Sequence, residues 1–207
     1  RYLQEAAEDD VAEAGWVAPY DWLLRRCAIR ITEFPVLGDR LQIRTFCSAT
    51  GPRWAQRATT VAGQPGDLIQ AQAIWVAVSR DTGSPVPLGA DFHELYGPST
   101  QGRRISARLT HPGPPDTAPG RPWPLRAVDF DTGWHVNNAV YWAAAEDALA
   151  AHGWLPGLAE LEYHRPAVPD HDPRLVSAHT GDQLSAWLMD GDRELASARL
   201  VRGRSQP

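Results

Sequence analysis

The sequence predicts an α+β protein made of two copies of one module, each a long helix wrapped by an antiparallel β-sheet. Three observations lead there: an internal repeat, a helical stripe followed by runs of period-two residues, and a proline-rich break between the copies. The repeat comes first because it sets the architecture. Residues 2–16 (YLQEAAEDDVAEAGW) align with residues 140–154 (VYWAAAEDALAAHGW). Ala6, Ala7, Glu8, Asp9, Ala12, Gly15 and Trp16 recur as Ala144, Ala145, Glu146, Asp147, Ala150, Gly153 and Trp154. Further on, Pro35 and Asp39 match Pro166 and Asp170, and Gly66, Asp67, Ala71, Ala73 and Val76 match Gly191, Asp192, Ala196, Ala198 and Val201. The shrinking offset gives the second copy shorter loops.

The helix of the second copy is read from Val140, Tyr141, Ala144, Ala145, Ala148 and Leu149, which fall on one stripe at helical spacing. Asn137 or Asn138 suits its N-cap and Gly153 its stop. After Gly15, Cys27/Ile29/Ile31, then Leu41/Ile43/Thr45/Cys47, then Ile69/Ala71/Ala73/Trp75/Ala77 alternate as strands do. Strands that follow one another without helices between them imply an antiparallel sheet packed on the single helix. That arrangement, twice over, is a tandem (double) hotdog.

Between the copies, residues 112–124 (PGPPDTAPGRPWP) have neither period and read as a linker. The expected domains are therefore 1–110, a linker over 111–124, and 125–207, the last opening on a strand over 125–130. The first copy lacks such an opening strand, since Arg1 already aligns with Ala139. A longer natural N-terminus is the resulting expectation.

Composition narrows the function classes. The apolar share of 43% and charged share of 22% are those of a globular chain, not of a disordered or fibrous one. A formal net charge of −5 argues against nucleic acid as the partner. No run approaches the roughly 18 apolar residues of a membrane span, and no signal-peptide pattern opens the chain, so a soluble, cytoplasmic protein is expected. Cys27 and Cys47 lack metal-ligand spacing and read as small buried residues; no metal and no cofactor is implied. The cationic side chains apart from histidine are all arginine. They cluster at Arg25/Arg26, Arg53/Arg57, Arg103/Arg104/Arg108 and Arg121/Arg126, either as solvated surface or as a seat for a phosphate or an acidic carrier protein.

Residues 128–138 (VDFDTGWHVNN) concentrate titratable and backbone-permissive residues where the second helix begins. A helix start offers amides for an oxyanion, with Val136, Asn137 and Asn138 as the candidate support. Asp131 can activate water or attack a carbonyl, and His135 can protonate a departing group. The bland alternatives are equally definite. Asp131 can cap the turn, His135 can be structural, and the asparagines can be caps alone. Glu146 and Asp147 recur in the first copy and so are read as serving the fold.

RYLQEAAEDD, TFCSATGPRWAQRATT, AIWVAVSRDTGSPVPL and, above all, DFDTGWHVNNAVYW followed by LEYHRP resemble the plant and bacterial acyl-(acyl carrier protein) thioesterases, a tandem hotdog family, over nearly the whole chain. The resemblance implies hydrolysis of fatty-acyl thioesters, with Asp131 and His135 catalytic. It implies an acyl carrier protein or coenzyme A as the carrier of the substrate, and leaves a homodimer open as the assembly. It further implies that the first copy shapes the acyl pocket, for which Phe46, Ile74, Trp75 and Val76 are candidates against the alternative of core packing. Departures are equally plain. Plant members have an asparagine where this chain has Gly133 and a glutamate where it has Pro166, and the family's debated cysteine falls on Ala167. Gly133-Trp134 replaces the Asn-Gly of bacterial relatives. The competing functions are an acyl-CoA thioesterase, a non-catalytic acyl-binding protein, and a hotdog enoyl-thioester hydratase. The last uses an Asp-x-Asn-Pro-x-His spacing that this chain does not have.

Overall fold

The computed structural model describes residues 2–64, 66–131 and 133–203. Arg1, where a longer N-terminus was expected, and Thr132, inside the candidate loop, lie outside the described residues. The chain divides into two compact units, Arg1–Leu109 and Thr110–Pro207.

The first unit opens with α1 (Tyr2–Glu13), followed by β1 (Asp21–Ile31), β2 (Gln42–Thr50), β3 (Trp54–Ala62) and β4 (Asp67–Val78). The strands pair antiparallel in the order β2-β3-β4-β1. The second unit repeats the plan with α3 (Asn138–Leu149), β6 (Pro156–Tyr163), β7 (Arg174–Thr180), β8 (Gln183–Asp190) and β9 (Arg193–Arg202), in the equivalent order β7-β8-β9-β6. Each unit is a hotdog, so the tandem α+β architecture read from the repeat holds. The glycines of the repeated Gly-Trp pair, Gly15 and Gly153, both adopt the left-handed backbone that ends a helix, with φ of 61° and 68°.

Two elements escaped the sequence reading. A further helix, α2 (Ala90–Thr100), buries Phe92, Tyr96 and Thr100. Its short amphipathic stripe carries Gly97 and Pro98, which mask a helical signal. The end of the presumed linker also joins the sheet as β5 (Gly120–Pro122), paired with β7. It is an edge strand, where Pro122 forfeits no necessary ladder bond.

One expected strand is absent. Over residues 125–130 the chain forms a 3₁₀ turn at Ala127–Asp129 and only an isolated bridge from Phe130 to Val136. The cause is local. Asp129, 2% exposed, accepts from the Arg126 backbone N–H at 2.7 Å and from its guanidinium at 2.8 Å, which closes a turn instead of an extended run. Leu41 and Ile43, read as part of a period-two strand run, are exposed, at 44% and 38%.

The two helices differ in what they cover. Beneath α3, Tyr141, Ala144, Ala145, Ala148 and Leu149 are buried. α1 buries none of its residues fully; Leu3 and Val11, the repeat counterparts of Tyr141 and Leu149, are only half-buried. A cavity of about 410 Å³ lies there instead.

Candidate active site

The loop before α3 is organised around Asp131. Its Oδ1 accepts from Gly133 N–H at 2.9 Å and from His135 N–H at 3.1 Å. Its own N–H donates to the His135 carbonyl at 2.8 Å, and its carbonyl receives Trp134 N–H at 3.1 Å. Both Asp131 and His135 are exposed. Oδ2 has no hydrogen bond among the described residues, so the carboxylate keeps one oxygen for a ligand or water while the other shapes the turn. The side chains converge on Gly133. A Cβ built there would stand 3.3 Å from Asp131 Oδ1 and 3.4 Å from His135 Nδ1. Glycine therefore holds open the space between a carboxylate and an imidazole. The left-handed conformation falls one residue later, on Trp134, at φ 58°. A tryptophan at that angle is strained.

The helix start is supported from several sides. Asn137 is the N-cap, its side chain accepting from Ala139 N–H at 3.0 Å. Val136 N–H donates to the Ala167 carbonyl at 3.0 Å and Asn137 N–H to the Asp129 carbonyl at 2.8 Å. The amides of Val136 and Asn137 are thus committed to the fold. Asn138 N–H, the first of the helix, has no partner among the described residues and is the amide left for an oxyanion; the Asn138 carbonyl receives the Tyr163 hydroxyl at 3.1 Å. Ala167, where the family's debated cysteine falls, is fully buried, and its N–H donates to the Tyr141 hydroxyl at 2.9 Å. Burial pushes the Tyr141 phenol up, the Ala167 amide opposes this, and the Asp131 charge adds to it. Tyr141 therefore lies within electrostatic reach of Asp131. Sequence reading placed it only on the apolar stripe.

Asp129 and Glu146 are the neighbouring carboxylates. Burial works against ionisation of Asp129, but hydrogen bonds from the Arg126 side chain and backbone, together with its charge, hold the carboxyl below its ordinary value. It is committed to Arg126. Glu146 is exposed, and Asp147 braces Trp123 at 3.0 Å and Arg121 at 3.4 Å.

The cavity of the first unit is the second candidate feature. Ala7, Val11, Trp16, Trp22, Trp75 and Phe92 form apolar walls, while Gln4, Glu8, Gln56, Arg57 and Tyr96 bring polar atoms to it. Cys47 also lines it, with a thiol that burial pushes up to about 11, far from a nucleophilic thiolate. Of the four residues read as pocket candidates, Trp75 lines this cavity. Ile74 is 1% exposed, Val76 is half-buried and Phe46 is 45% exposed; none of the three lines it.

A third cluster went unread. His111, Glu160 and Glu162 bring potential ligand atoms within 4.8 Å of one another. The protein supplies its own partners there. Glu162 accepts Thr110 N–H at 2.8 Å and His111 N–H at 3.0 Å, and Glu160 takes Arg199 at 2.7 Å. His111 and His164 both contact the Ser197 hydroxyl at 3.1 Å. These contacts pin the start of the second unit to its own sheet.

Comparison with known proteins follows the same division. Residues 1–96 match the family model of the acyl-ACP thioesterase N-terminal domain. An uncharacterized protein of Mycobacterium tuberculosis is 29% identical over 206 residues, covering 98% of this chain and 82% of the relative. The 12:0-ACP thioesterase from Umbellularia californica superposes with a TM-score of 0.81 at 19% identity, over 97% of this chain and 86% of that one. An acyl-ACP thioesterase from Bacteroides thetaiotaomicron gives 0.81 at 15% identity, over 98% and 87%. At such identities the likeness speaks for the fold. Over residues 1–96 the chain is thus similar to the N-terminal domain of the acyl-ACP thioesterases, and over nearly its whole length it shares their fold, a similarity that supports hydrolysis of acyl thioesters.

Proposed function

We propose that this protein releases free fatty acids from acyl carrier protein, with the acyl chain held in the cavity of the first unit and the chemistry performed by the Asp131 loop of the second. The observation that carries the reading is the split use of Asp131. Oδ1 is fixed by two backbone N–H groups, while Oδ2 has no hydrogen bond among the described residues and is the oxygen we assign to the reactant. In the proposed step, Asp131 takes a proton from water as the water oxygen bonds to the thioester carbonyl carbon. The carbonyl oxygen gains negative charge and is met by the Asn138 N–H at the positive end of α3. Collapse re-forms the C=O bond and breaks the C–S bond. His135 protonates the departing thiolate and is restored by the proton that Asp131 took from the water, leaving a carboxylic acid and a thiol. Gly133 leaves room for the thioester between the two side chains.

The main competitor is acyl binding without turnover, which draws on Asp131 also acting as a turn cap. A thiol-release assay across acyl chain lengths, on carrier protein and on coenzyme A in parallel, separates them. Release from both carriers with a clear preference for acyl carrier protein is the expected result. Preference for coenzyme A would move the substrate assignment, and no release from either would replace the enzyme by a binder.

A further inference from the structure

We infer that the cavity of the first unit selects acyl chains that carry a neutral oxygen, a hydroxyl or an oxo group, along their length. This rests on the proposal that the cavity holds the acyl chain, and it narrows the substrate class. A cavity for a plain alkyl chain needs only apolar walls. Here the lining also brings polar groups from three different elements: Glu8 of α1, Gln56 and Arg57 of β3, and Tyr96 of α2. The Tyr96 side chain is 8% exposed, yet its hydroxyl has no hydrogen-bond partner among the described residues. A buried hydroxyl without a partner is costly, and a methylene group placed against it leaves it so.

The neighbouring charge specifies which oxygen fits. Arg57 is only 12% exposed and is paired with Asp10 at 2.8 Å, and its guanidinium stands 5.8 Å from the centre of the Tyr96 ring. Its positive charge is already balanced. A carboxylate on the chain would meet Glu8 in the lining, while the Arg57 charge is already taken up by Asp10. A hydroxyl or oxo oxygen accepts from the Tyr96 hydroxyl and adds no charge. Burial and the Asp10 charge push the Tyr96 phenol up, against the opposing effect of the neighbouring Arg57, so the hydroxyl remains a donor.

Trp16, Trp22 and Trp75 line the cavity, so occupancy can be read without turnover. Quenching of tryptophan fluorescence in the purified full chain is titrated with hexadecanoic acid and with hydroxyhexadecanoic acids substituted near the carboxyl, at mid-chain and at the terminal carbon. At least one hydroxy acid should bind about tenfold or more tightly than hexadecanoic acid. In Tyr96→Phe, which keeps the ring and loses the hydroxyl, that ratio should collapse toward one. Equal binding of all four acids, binding of none, or a ratio that survives in Tyr96→Phe would overturn the inference. Tight, Tyr96-dependent binding with no thiol release from the corresponding acyl carrier protein or coenzyme A esters would leave the cavity assignment standing and remove the hydrolase reading instead.

Discussion

At the scale of single residues, the loop from Asp131 to Asn138 combines a strained backbone with two exposed titratable groups. Trp134 adopts φ 58°, a backbone conformation that favours glycine. Such a conformation costs a non-glycine residue about 1–2 kcal/mol. Glycine recovers that but loses about 0.4–1 kcal/mol through the freer unfolded chain. Trp134 is 70% exposed, so little packing is forfeited. Trp134→Gly should therefore stabilise by about 0.5 kcal/mol, a rise of roughly 1–2 °C in Tm for a chain of this size. A fall of several degrees in a thermal melt would show that the indole packs on something essential. The His135 side chain is free of hydrogen bonds among the described residues. His135→Ala should leave Tm unchanged and cost roughly 100-fold in kcat, the usual worth of a positioned general acid. Unchanged turnover in a thiol-release assay would remove it from the mechanism.

At the scale of elements, the helices and paired strands were legible because their signals are local and periodic. The repeated Gly-Trp pair marked both helix ends, and the alternation around Ala71 and Ala73 marked β4. What could not be read depends on contacts across the chain. The turn at Ala127–Asp129 replaces a strand because Asp129 and Arg126 close on each other, and β5 exists only because β7 offers it an edge. Asp131 was legible as a candidate by its place before a helix, but its hold on Gly133 and His135 was not. The Glu160–Glu162 cluster was invisible for the same reason: its partners Thr110, His111 and Arg199 are remote in sequence. That cluster predicts a pH dependence. His111, with its Nε2 3.7 Å from the carboxylate, and the hydrogen-bonded Arg199 act against burial to lower Glu160 from 4.5 to about 2. A depressed carboxyl stabilises the fold fully above its ordinary value and loses that contribution as pH falls through the folded-state value. Glu160→Gln should thus melt below the parent at neutral pH, with the gap closing between about pH 4.5 and 2. A gap that stays constant over that window would assign the loss to shape, not charge.

At the scale of the whole molecule, the two units share one plan and differ in what lies beneath their helices. Tyr141 and Leu149 are buried under α3, and a cavity lies under α1. That difference underlies the proposed division of labour. The arginine clusters also look different once placed. Arg57, Arg121 and Arg126 pair with aspartates and Arg103 with backbone carbonyls, whereas Arg53 and Arg104 are exposed. If exposed arginines steer an acidic carrier protein, kcat/KM on acyl carrier protein substrates should fall about threefold or more from low salt to roughly 0.3 M, as the Debye length shrinks. A flat salt profile would exclude steering by these charges. The central claim is that Asp131 makes this fold a thioester hydrolase, and Asp131→Asn tests it most directly. The amide oxygen can still accept from Gly133 and His135 N–H, so the turn survives, but the side chain can no longer take a proton or attack a carbonyl. Steady-state thiol release by Asp131→Asn and parent proteins of matched Tm should differ by at least roughly 100-fold; equal rates would contradict the account.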